Sequence, residues 1–110
     1  MPKKTFEHVE HKVRNASHID PKRKEELEAL IAKAKEHLDD VPPELKEDAE
    51  SLAHFVHITV HELLKPEQDP ELIEYAEKGM KRALDKFETG HPKLFLTLQS
   101  LAVALSGLGV

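Results

Sequence analysis

The chain has 110 residues, with 16 Lys and Arg against 21 Asp and Glu, eight His, and no Cys or Trp. At this mass a folded chain keeps roughly 6,200 Å² exposed and buries about two-thirds of its unfolded surface, enough for one core and a single domain over residues 1–110. The lack of cysteine excludes a disulfide framework, a zinc–thiolate centre and a thiol nucleophile, and the formal charge of −5 argues against a nucleic-acid partner, which needs a basic surface.

Met1-Pro2-Lys3-Lys4-Thr5 is positively charged, but Phe6-Glu7-His8 follows it in place of an apolar run. No secretory signal is read there, and the cytoplasm is the expected compartment. The glycosylation pattern Asn15-Ala16-Ser17 is then without use. The first predicted helix, 5–16, carries a short stripe of Phe6, Val9, Val13 and Ala16, with His8 and His11 opposite and His18 in the following turn. Asp20-Pro21 opens the second helix, 21–39. Proline suits the first helical position and keeps the residue before it out of the α region, while aspartate can cap the free N–H groups. Leu27, Leu30, Ile31, Ala34 and Leu38 give that helix its apolar face.

Pro42-Pro43 closes the second helix and opens the third, 43–64, with Leu45, Ala49, Leu52, Val56, Thr59 and Leu63 in register. Asp69-Pro70 begins the fourth, 70–89. Its face of Leu72, Ile73, Ala76, Met80, Ala83, Leu84 and Phe87 lies opposite Glu74, Lys78, Lys81 and Asp85. Gly79, inside that stripe, reads as a close helix approach. Gly90 reads as a C-terminal cap able to take positive φ, and His91-Pro92 starts the fifth helix, 92–107. No alternating run is long enough for a strand. The pattern predicts an all-α fold, a compact antiparallel bundle of four or five helices.

The segment Phe87-Glu88-Thr89-Gly90-His91-Pro92-Lys93-Leu94, followed by Leu98, Leu101, Ala104-Leu105 and the terminal Gly109-Val110, resembles the C-terminal signature of a family of short bacterial helical proteins known only as a domain of unknown function, family 4404. The turn Ile19-Asp20-Pro21 and the Leu27/Leu30 helix are similar to the family's N-terminal part. The resemblance covers residues 8–40 loosely and 69–110 well; residues 41–66 fit less well and read as an added helix. It implies a small bacterial helical protein with no established activity, cofactor or substrate, and it assigns no functional residues. Within the motif His91 can accept an N–H at the helix start through a ring nitrogen. That cap is favoured over catalysis, because no Ser, Asp or Glu stands at triad spacing.

Histidine is abundant. His54, His57 and His61 form a stripe on the third helix, opposite Leu45, Leu52, Val56 and Leu63, and therefore expected in solvent. His57 and His61, one turn apart, are spaced to grip a Zn²⁺, Ni²⁺ or Cu²⁺ ion together. His54 and His61 are about 10 Å apart along the axis, so a closed site needs further ligands. His57-x-x-x-His61 also lacks the placed glutamate of His-Glu-x-x-His. The stripe reads first as a polar face and second as a weak metal candidate. Protonating all eight histidines takes the formal charge from −5 to +3, so it reverses in mildly acidic solution.

On the last helix Leu94, Leu98, Leu101, Leu105 and Leu108, with Phe95 and Ala102 beside them, must enter the core. Leu96 and Val103 lie on the other side among Gln99, Ser100, Ser106 and Gly107, and no charge follows Lys93. A helix apolar on two sides calls for cover on both, supplied either by the chain's own helices or by a homodimer mate approaching over Ser100, Ala104 and Gly107. The polar residues and glycines of 94–110 exclude a membrane span. Reversible lipid association is disfavoured by the missing Lys and Arg. The sequence thus points to a structural or protein-interaction module that self-associates through Leu96 and Val103, without catalytic residues or cofactor. A metal-binding protein using the histidine stripe is the alternative, and a hydrolase or other enzyme ranks last.

Overall fold

Proline sets most of the helix starts. In the computed structural model, which describes residues 2–17 and 19–109, α1 (Pro2–Asn15) and α2 (Pro21–Leu38) both begin on one. A 3₁₀ turn at Pro43–Leu45 leads into α3 (Lys46–Leu63), and Pro70 and Pro92 open α4 (Pro70–Asp85) and α6 (Pro92–Gly109). The four-residue α5 (Phe87–Gly90) lies between those two. Asp69 caps α4 by accepting the N–H groups of Glu71 and Leu72 at 3.1 and 3.3 Å, and Asp20 caps α2 through Lys22 at 3.4 Å. The described residues form six α-helices and no strand, as the all-α reading requires. His18 and the terminal Val110 lie outside the described residues, and so do the expectations placed on them.

Several bounds differ from the sequence reading: α1 starts at Pro2 rather than residue 5, α3 starts at Lys46 after a 3₁₀ turn, and α6 runs to Gly109 rather than 107. The helix expected over 70–89 ends at Asp85, because Lys86 at φ −68°, ψ −18° tightens the backbone toward 3₁₀ geometry. The chain then turns through α5, where Phe87 is fully buried. Gly90 does not take positive φ; no described glycine does. Space is what the position needs, since a Cβ there would overlap Leu45 Cδ1.

Ion pairs and ring contacts give the helix directions. Lys3 with Asp39 (3.1 Å) and Lys35 with Glu10 (2.9 Å) set α1 antiparallel to α2. His8 beside His57 and Lys12 beside His61 set α1 parallel to α3. Lys86 with Asp48 (3.2 Å) and the Phe55–Tyr75 ring contact set α3 antiparallel to α4. Arg23 against Gly107 and His37 against His91 make α6 antiparallel to α2. Successive long helices therefore alternate in direction, but α3 packs mainly on α1 and α4 rather than on α2, and α6 packs mainly on α2.

This order encloses one contiguous apolar cluster, with Phe6, Leu27, Ile31, Leu52, Phe87 and Leu98 among its fully buried members. The buried carboxylate of Glu62 is paired with Lys65 at 2.8 Å. The accessible surface of 6809 Å² exceeds the ~6,200 Å² expected for this mass by about a tenth, consistent with extents of 38 × 26 × 21 Å.

Candidate functional site

Three surfaces and one separate side-chain cluster can carry chemistry or recognition. The first is the histidine face of α3. His54 and His61 are exposed there, but His57 is half-buried because the parallel α1 lies alongside. His57 stacks on His8 at 6.5 Å between ring centroids and meets His61 edge-on at 6.4 Å, while His54 turns against Phe55. Lys12 Nζ lies 3.1 Å from His61 Nδ1. An ammonium can only donate, so that ring nitrogen accepts, and its lone pair is no longer free for an ion. Burial lowers the pKa of His57 below its usual 6.5, and the charge of Lys12 and then the neighbouring His61, His8 and His54 lower it further. The face brings cationic groups together, and its three stripe histidines do not converge on a point.

Convergence occurs at one end of the bundle instead. His37 lies in the last turn of α2, Asp40 follows that helix, and His91 precedes α6. One potential ligand atom from each lies within 4.8 Å of the other two. The His37 and His91 rings meet edge-on at 5.6 Å. Two junctions create the cluster, the one leaving α2 and the one entering α6, held together where Leu45 fills the space beside Gly90. His91 does cap α6: its Nδ1 accepts the Leu94 N–H at 3.2 Å. His91 N–H donates to the Phe87 carbonyl at 2.9 Å, and its own carbonyl accepts from Phe95 at 3.0 Å. Sequence reasoning found the cap but missed the cluster. His37 and Asp40 at i, i+3 on a helix end give a faint signal, and their third member is 51 positions beyond Asp40.

The second surface is an open groove of ≈ 610 Å³ between α3 and α4. Phe55 and the exposed Tyr75 form its apolar part, and Lys78, Arg82 and Lys86 stand at i, i+4, i+8 along one wall. Its floor is Gly79, where a Cβ would overlap the Phe55 ring. Lys78 and Lys86 are engaged by Glu74 and Asp48, which offsets most of the basic character.

The third is the outer face of α6. Leu94, Leu98, Leu101 and Leu105 are buried as the periodicity requires, while Leu96 and Val103 remain 60% and 70% exposed. The chain's own helices do not cover them. They do fill the hollow at Gly107, where the Arg23 guanidinium from α2 occupies the place of a Cβ. Ala104 and Gly107 thus face α2 of the same chain rather than an incoming helix, which corrects that part of the sequence reading. Among the described residues no helix is long and apolar enough to cross a membrane.

A family model described as Domain of unknown function (DUF4404) matches residues 27–110. The match includes residues 41–66, where the sequence resemblance is weaker, and leaves out α1. No curated protein and no solved structure matches the chain.

Proposed function

The chain belongs to the DUF4404 family, and from that premise we propose that it is a protein-interaction module without catalytic activity, pairing with a second copy of itself through the outer face of α6. The observation that carries this reading is the exposure of Leu96 and Val103, two turns apart on a helix with no charged residue beyond Lys93. Gln99 and Ser100 separate them and are uncharged, so desolvating the strip strands no ion.

The size of the strip decides the affinity class. An 18-residue helix is about 27 Å long, too narrow a surface by itself for the ~800 Å² per partner of a stable interface. The flanks must join, and each carries charges of both signs: Arg23 and Glu26 on α2, and Lys81 with Glu77 and Asp85 on α4. A surface mixed in this way can complement itself about a two-fold axis. The dimer is accordingly a weak one, forming at micromolar concentrations. The lack of cysteine and of a nucleophile–base pair at triad spacing supports the non-catalytic half of the reading.

Sedimentation equilibrium across about 1–200 µM tests this. A monomer–dimer equilibrium is expected for the wild type, and a folded monomer for Leu96→Glu with Val103→Glu. A wild type that stays monomeric throughout refutes the reading.

A further inference from the structure

We propose that His37, Asp40 and His91 form a binding site for a divalent transition-metal ion of the zinc class at the junction of α2 and α6, and that the ion competes with the N-terminal cap of α6. The donor set is two imidazoles and a carboxylate, which suits Zn²⁺, Co²⁺ or Ni²⁺ better than the oxygen-seeking Ca²⁺ or Mg²⁺. Because the three ligand atoms lie within 4.8 Å of one another, a point exists no more than about 2.8 Å from all three. Zinc binds nitrogen and oxygen ligands at about 2.0–2.2 Å, so each side chain has to close by less than about 1 Å. Rotation about side-chain bonds covers that distance without moving a helix. Asp40 is exposed and the two histidines half-buried, leaving the remaining coordination position to water, the open arrangement rather than the sealed structural one.

The competition follows from the count of lone pairs. A neutral imidazole has one lone pair in the ring plane, on whichever nitrogen lacks hydrogen. In His91 that nitrogen is Nδ1, and the Leu94 N–H uses it at 3.2 Å. An ion bound to either nitrogen of His91 takes that lone pair, directly or after the hydrogen moves to Nδ1. In both cases Leu94 N–H loses its acceptor. The 3.2 Å separation is at the long end for such a bond, so the exchange gives up little. In return the ion ties α2 to α6 across a long stretch of sequence, a link that the unfolded chain cannot make.

The test uses the untagged full chain, stripped of metal by a chelator. Zinc titrated into it calorimetrically should bind one equivalent, and cobalt should give the visible absorption bands of a tetrahedral nitrogen–oxygen site. His37→Gln and Asp40→Asn, which keep the cap and exchange surface-accessible groups, should each weaken zinc binding at least about tenfold. The double variant His57→Gln with His61→Gln should bind as the wild type does. No heat of binding at about 100 µM zinc, or a loss in the His57/His61 variant with full binding in His37→Gln, overturns the site. Leu94 amide exchange reads the competition: zinc should accelerate it, and an unchanged rate in the zinc-loaded protein overturns the coupling to the cap.

Discussion

Replacing Gly79 by alanine sets two opposed effects against each other. In the interior of α4, alanine is favoured over glycine by about 1 kcal/mol. The new Cβ, however, would overlap the ring of Phe55 at three carbons. To withdraw, Phe55 must give up edge contacts with Tyr75 and His54, each at 6.2 Å between ring centroids, and swing further into the open groove it lines. Overpacking of this kind costs about 1–3 kcal/mol, so Gly79→Ala should lose about 1 kcal/mol net, which for a chain of this length lowers Tm by about 4 °C. With Phe55→Ala the obstacle is gone. Gly79→Ala made in that background should raise Tm by about 4 °C relative to Phe55→Ala alone. The reversal corresponds to a coupling of about 2 kcal/mol between the two sites, readable from thermal melts followed by helical circular dichroism. If Gly79→Ala has the same effect in both backgrounds, or stabilises the wild type, the close approach of α3 and α4 is not what the glycine provides.

The caps differ in a measurable way. Asp69 accepts two N–H groups and Asp20 one longer contact, so Asp69→Ala should cost about 1 kcal/mol and Asp20→Ala less, with equal losses in urea melts contradicting the geometry. His57 gives a pH dependence of known sign. Its folded-state pKa lies below the usual 6.5 through burial and then through Lys12 and its histidine neighbours, so the unfolded chain holds more protons in the window beneath 6.5. Stability is thus fully present above 6.5 and is lost as pH falls through the folded-state value. Urea midpoints taken from pH 8 to pH 5 should fall less in His57→Gln than in the wild type, and parallel profiles would show that His57 makes no contribution.

The family and the helical class were both legible in the chain, the class because helix periodicity is a pattern within about twenty consecutive residues. Asp20-Pro21 and Asp69-Pro70 each cap and start a helix here, and the spacing of Leu94, Leu98, Leu101 and Leu105 fixes which side of α6 is buried. The exposure of Leu96 and Val103 on the other side followed from the same periodicity, although only the assembled bundle shows that no other helix covers them. The α3 histidines show where such reasoning stops. Their placement on one stripe was readable, but the burial of His57 comes from α1 running parallel beside it, and nothing local dictates that neighbour. Gly90 looked like a positive-φ cap and is instead a gap for Leu45, a residue 45 positions away. His37, Asp40 and His91 are the furthest case, because their proximity exists only once α6 lies antiparallel on α2. Helix periodicity determines which residues a helix buries, but the ligands of a shared site come from separate helices, and only the packing of those helices decides which side chains meet.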